Sequence, residues 1–212
     1  MFRSVFRPYG LVWRILNTIT DVLGLSLLWC LCSLPVVTIG AATTALYDAA
    51  VRGIRYREEG VYRRFFRTFR AELKTASLVT VVWGLILLLC SYILALLDGV
   101  APDSRQAAIM AGGYRVLMGI PLTCACWSCA ILSRFSHGFR SLTATAARFL
   151  PAHLLSSVGI GLLTWGCLRF CREYLIAITY APAVLMLAWS LFAEPVFRKY
   201  GGGLEPPKTD EA

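Results

Sequence analysis

The sequence predicts an all-α, polytopic membrane bundle with five long transmembrane helices, a short broken or re-entrant return helix, and cytoplasmic amphipathic helices. Three observations predict it. The 212 residues are 58% hydrophobic and only 16% charged, with a mean hydropathy of +0.65, far from the balance of a soluble domain. Charge is absent from Val22 to Tyr47, Thr75 to Leu97, Val116 to Ser133, Phe149 to Leu168 and Tyr174 to Ala193, and a crossing needs about 20 apolar residues to span ~30 Å of hydrocarbon. No strand-length alternation of apolar and polar residues accompanies these runs, which argues against a β-barrel.

The first run poses the main topological question. As one helix Val22 to Tyr47 would be about 39 Å long at ~1.5 Å per residue, too long for one comfortable crossing and too short for two. Leu11 to Leu34 makes a full span, and Pro35 stops or kinks it because proline lacks the backbone donor and clashes with the preceding turn. After Gly40, AATTALYDAAVRGI can restart as a short helix heading back, which is the favoured reading over a single crossing of this region. Two readings of the break stay open. Pro35, Thr38, Gly40, Thr43 and Thr44 line a binding site or pathway, as broken helices do in transporters, or they form a tight turn near the outer face with small residues for close packing.

Orientation follows from charge. The net charge of +9 lies in the segments between apolar runs, so it reports topology, and no nucleic-acid partner is expected. Arg52, Arg55, Arg57, Arg63, Arg64, Arg67, Arg70 and Lys74 crowd one loop, whereas Asp98 to Gln106 holds Arg105 against two aspartates. The positive-inside rule makes the first cytoplasmic and the second external. Arg134 to Arg148 and the tail with Arg198, Lys199 and Lys208 then fall inside, with both termini cytoplasmic in a bacterial cell membrane. Arg169 and Arg172, in the short external turn, run against the rule. The domain division is one membrane domain over 1–199 and a flexible polar tail over 200–212. The opening MFRSVFR is read as retained.

LLWCLCSLPVVTIGAATTALYDAAVRGIRYREEGVYRRFFRTFRAELKTAS resembles the opening half of the YesL-like family of bacterial integral membrane proteins. Trp29, Pro35, Thr38, Gly40, Ala45, Gly60, Phe66 and Phe69 carry the resemblance, which is specific over roughly residues 20 to 75 and weak afterwards. It implies no catalytic residues. Members of the family are often associated with ATP-driven carbohydrate importers, so the resemblance implies permease subunits of a carbohydrate ABC importer as partners.

VYRRFFRTFRAELK, residues 61 to 74, places Phe65, Phe66, Phe69 and Leu73 near one face and its basic residues largely elsewhere. That pattern predicts a helix in the membrane interface with its arginines on anionic head groups, or one docked on a partner protein through Phe65, Phe66, Phe69 and Arg70. Phe135, Phe139 and Arg140 repeat the spacing of Phe65, Phe69 and Arg70, and the apolar stripe of Leu142, Ala146 and Phe149 predicts a second amphipathic helix, with Phe139 and Arg140 as further candidate docking residues on a shared platform.

Eight cysteines invite a metal or disulfide reading. In CACWSC, however, Cys124 and Cys126 point about 200° apart on a helix, so three thiolates do not converge. Packing between helices is the expectation for all eight, with Cys167 and Cys171 the pair nearest an oxidising compartment. Arg115 and His153 sit near predicted interfaces, and Glu194 with Pro195 marks where the last helix leaves the membrane. Phosphate-loop, zinc-protease and nucleophile-elbow motifs are absent. The expectation is therefore a non-enzymatic accessory membrane protein without cofactor or metal. The alternative is a small autonomous transporter or channel, as a homo-oligomer, with its pathway at Pro35–Gly40.

Overall fold

The computed structural model describes residues 11–100, 105–135 and 138–201. Eight α-helices follow in order: α1 (Leu11–Cys32), α2 (Ile39–Ala49), α3 (Val61–Val100), α4 (Arg105–Leu117), α5 (Gly119–Leu132), α6 (Phe139–Ala152), α7 (Leu154–Glu173) and α8 (Ala181–Lys199). No strand occurs among the described residues. Among the described residues five helical segments are long and apolar enough to cross a membrane: Ile15–Cys32, Val61–Gly99, Ala108–Leu132, Leu154–Glu173 and Ala181–Lys199. The chain is thus a multi-pass helical membrane protein.

The first run is a broken hairpin. α1 ends at Cys32, Pro35 takes an extended conformation, and a 3-10 turn over Val36–Thr38 leads into α2. Antiparallel pairing is fixed by the Trp29 indole, which donates to Thr43 Oγ1 at 3.1 Å. α2 has 11 residues and continues as a wider π-helical stretch over Ala50–Arg55, and together they carry the chain back from the break to the basic end. α2 lies at the centre of the bundle, with Ala41, Ala45, Leu46, Tyr47 and Ala49 fully buried. Gly60, at φ +77°, adopts the left-handed backbone that glycine tolerates and turns the chain into α3.

α3 then runs without a break for 40 residues, about 60 Å at ~1.5 Å per residue. The Phe-rich segment, read from the sequence as an amphipathic helix at the interface or on a partner, is continuous with the apolar helix that follows it. Nothing between Val61 and Val100 interrupts it, since no proline occurs there and each backbone donor finds its partner one turn back. It pairs antiparallel with α2, because Gly40 N–H donates to Thr80 Oγ1 at 2.8 Å and, further down, Thr68 Oγ1 donates to Asp48 Oδ2 at 2.8 Å. α6 is a separate helix, as expected, and buries Leu142, Ala146 and Phe149.

Two further indoles bind the remaining helices in the apolar zone. Trp127 of α5 donates to Ser157 Oγ of α7 at 3.0 Å, and Trp189 of α8 donates to Thr164 Oγ1 of α7 at 3.1 Å. The hydroxyls scattered along the spans are thus largely consumed locally. Thr43, Thr80, Thr123, Ser128 and Thr164 each donate to the carbonyl four residues back, and several also accept from a neighbouring helix. Interhelical hydrogen bonds of this kind contribute about 0.6 kcal/mol each.

A charged cluster at the basic end

Where α2, α3, α5 and α8 converge, Arg134 is enclosed by carboxylates. Its side chain and that of Glu194 are each 1% exposed, and that of Asp48 is 6% exposed. Arg134 donates through Nη2 to Glu194 Oε1 at 2.7 Å and through Nε to the same oxygen at 3.2 Å. Its Nη1 donates to Asp48 Oδ1 at 3.3 Å. Its guanidinium stands over the Tyr47 ring, 5.6 Å from the centroid, and Tyr47 OH donates to Glu194 Oε1 at 3.4 Å. A lone buried charge is costly, so mutual pairing is the condition for burying three.

The cluster extends outward through arginines. Arg52 Nε lies 3.0 Å from Asp48 Oδ1, close enough for an ion pair though not aligned as a hydrogen bond. Arg64 Nη1 lies 3.9 Å from Asp48 Oδ2 and Arg64 also pairs closely with Glu58. Arg55 donates to Ser190 Oγ at 2.6 Å, and Arg198 reaches Tyr56 OH at 3.4 Å. One polar assembly therefore joins α2, the foot of α3, the turn after α5 and the end of α8. Glu194 Oε2 is buried without a hydrogen-bond partner.

Local structure explains each placement. Ser133 Oγ caps the Ala130 carbonyl at 2.6 Å, ending α5 so that Arg134 turns inward while Phe135 packs edge-on against Phe197. α8 passes through Pro195 and continues to Lys199, which keeps Glu194 on its inner face. This corrects the expectation for Glu194, which lies in the core of the bundle rather than simply marking the helix's exit from the membrane.

The cluster was missed in the sequence, although a signal was present. Asp48, Arg134 and Glu194 are each the first charged residue after an apolar run, ending at Tyr47, Ser133 and Ala193 respectively. All three helices arrive at the basic end, so the three charges come to one level with complementary signs.

The break residues gather at the far end of α2, away from this cluster. Thr38 Oγ1 donates to Cys32 O at 2.6 Å and Pro35 O at 2.7 Å, closing the turn on itself, and Thr43 bonds Ile39 O and Trp29. Ser33 Oγ and Thr44 Oγ1 are buried without hydrogen-bond partners. A Cβ on Gly40 would stand 2.2 Å from Thr80 Oγ1 and 2.8 Å from the Ala76 carbonyl. The stretch is built as a tight helix-to-helix contact.

The expected docking residues separate. Phe65 is fully buried and stacks on the partly buried Phe69, with centroids 6.2 Å apart. Phe139 is also partly buried against the core. Phe66 faces outward, 43% exposed, and Arg70 is exposed. The side chain of Arg140 lies outside the described residues, as do His137 and the tail over 202–212. Arg115 pairs with Asp98, and His153 sits edge-on to Phe149 and Tyr200 at the joint between α6 and α7. All eight cysteines are free thiols, and Cys124, Cys126 and Cys129 are buried packing residues.

A family model described as "Protein of unknown function, DUF624" matches residues 22–96, from the middle of α1 to the last turns of α3. Asp48 lies within the match, whereas Arg134 and Glu194 lie beyond it. No curated protein and no solved structure matches the chain.

Proposed function

We propose that the chain is a YesL-like, non-enzymatic accessory protein of the bacterial cell membrane, which binds the permease subunits of a carbohydrate ABC importer from its cytoplasmic end. The positive-inside rule assigns the basic end, with both termini, to the cytoplasm. The observation that carries the reading is the Arg134 cluster. It ties four chain segments into one rigid end, and its ionisable groups are paired with one another rather than presented to a substrate. On that end Phe66 is exposed, and α6 turns Ser141, Ala144 and Arg148 outward. Such a preorganised, partly aromatic surface suits protein recognition.

The test is affinity purification of the tagged chain from its native membrane in mild detergent, with co-purifying proteins identified by mass spectrometry. The expected result is near-stoichiometric recovery of carbohydrate importer permease subunits, lost on Phe66→Ala at unchanged membrane abundance. Recovery of the chain alone, as a defined oligomer, would overturn the accessory reading in favour of an autonomous transporter.

A further inference from the structure

α3 carries a second pattern, independent of the partner reading. Arg63, Arg67, Arg70 and Lys74 follow one another at i, i+4, i+7 and i+11, a single face of the helix. All four are exposed, and among the described residues none is in an ion pair with a carboxylate, unlike Arg52, Arg64 and Arg134. Glu72 points to the opposite face of the helix. Arg63, Arg67 and Arg70 line an open concavity together with Glu59, Arg64 and Phe66.

The same face continues upward in register as Leu78, Val81, Leu85, Leu88, Tyr92 and Leu96, all between 44% and 66% exposed. In a membrane helix such a stripe meets acyl chains. The basic row is its direct extension past the last charge before the apolar run. We propose that the Arg70–Lys74 part of this row binds the phosphates of anionic phospholipids whose acyl chains lie along Leu78, Val81 and Leu85.

Depth sharpens the assignment. At ~1.5 Å per residue, Lys74 lies at the edge of the apolar run beginning at Thr75, Arg70 about 8 Å below that edge and Arg67 about 12 Å below it. Arg63 lies about 18 Å below. The head-group layer of one leaflet is about 5–8 Å thick, and helix side chains lean toward the helix N-terminus, here downward from the apolar run. Lys74 therefore stands at the phosphates, Arg70 at their lower margin, and Arg67 and Arg63 in water. An acidic protein surface would show no such gradient along the row.

The full chain, purified in neutral detergent, is mixed with phosphatidylglycerol or phosphatidylcholine, and retained lipid is counted by native mass spectrometry. Phosphatidylglycerol is expected to be retained at least about tenfold over phosphatidylcholine, since each juxtamembrane basic residue contributes roughly fivefold. Arg70→Gln with Lys74→Gln removes that preference, Arg63→Gln leaves it within about twofold, and Arg70→Lys preserves it. Millimolar inorganic phosphate does not displace the lipid. Unchanged thermal unfolding of the variants confirms that the fold is intact, as expected for exposed, unpaired side chains. Equal retention of the two lipids, or displacement by inorganic phosphate, would overturn the proposal. So would a loss on Arg63→Gln matching that of the double variant, which would reassign the row to an acidic protein surface.

Discussion

Arg134 and Glu194, sixty residues apart in sequence, meet at 2.7 Å with each side chain 1% exposed, and Asp48 closes the other side of the same guanidinium. This three-way contact joins the turn after α5 to α8 and α2. It holds together the end of the bundle on which the proposed partner surface stands.

Removing only the cation should be severe. Arg134→Met leaves Asp48 and Glu194 buried without their shared partner, and breaking a buried pair costs about 3–5 kcal/mol. The triple variant Asp48→Asn, Arg134→Met, Glu194→Gln should recover much of that loss, because no fully buried charge is left unpaired, the part-exposed Arg52 and Arg64 keep Glu58, and coupled residues are not additive. Thermal unfolding in detergent and membrane abundance read both. A triple variant less stable than Arg134→Met would refute the pairing account.

Gly40 is a packing residue, so its substitution should act on folding. Gly40→Ala forces a Cβ to 2.8 Å from the Ala76 carbonyl, a backbone atom that cannot rotate away, and overpacking of this kind costs about 1–3 kcal/mol. Adding Thr80→Ala removes the hydroxyl clash but not the carbonyl one, and also removes the acceptor for Gly40 N–H. The double variant is therefore expected to remain poorly abundant. Normal abundance of Gly40→Ala with specific loss of function would restore the pathway reading of the break.

Neighbouring phenylalanines should behave oppositely. Phe65→Ala empties a fully buried site and is expected to cost about 3–5 kcal/mol. Phe66→Ala alters an exposed site and should change stability by no more than about 0.5 kcal/mol, while releasing the partner. Chemical or thermal unfolding of the two variants side by side decides the point, and similar losses would show that the outward face of α3 is packed.

The indole bonds offer a quieter test. A double-mutant cycle on Trp189→Phe and Thr164→Val should give a coupling of about 0.6 kcal/mol, since Thr164 retains its own carbonyl partner at Ile160. A coupling near zero would mean that Trp189 holds α7 by packing alone.

The sequence by itself determined the solvent and the five long apolar spans. Both follow from uninterrupted apolar length, a local property that any neighbouring helix leaves unchanged. The break was legible for the same reason, because Pro35 removes a donor wherever it is placed, whereas the return of α2 beside α1 is fixed by tertiary contacts such as Trp29 to Thr43. Phe65 and Phe66 show where local reading stopped. Adjacent on a helix, they differ by 100° in direction, and only the position of α2 against α3 decides which of them is core. The continuity of α3 was hidden likewise, since Lys74 marks a change of solvent and not a change of backbone. The Asp48–Arg134–Glu194 contact belongs wholly to the tertiary structure. Sequence placed each charge at the end of its own apolar run, but burial becomes tolerable only when three helices bring opposite signs within hydrogen-bond distance, and that pairing has no local trace.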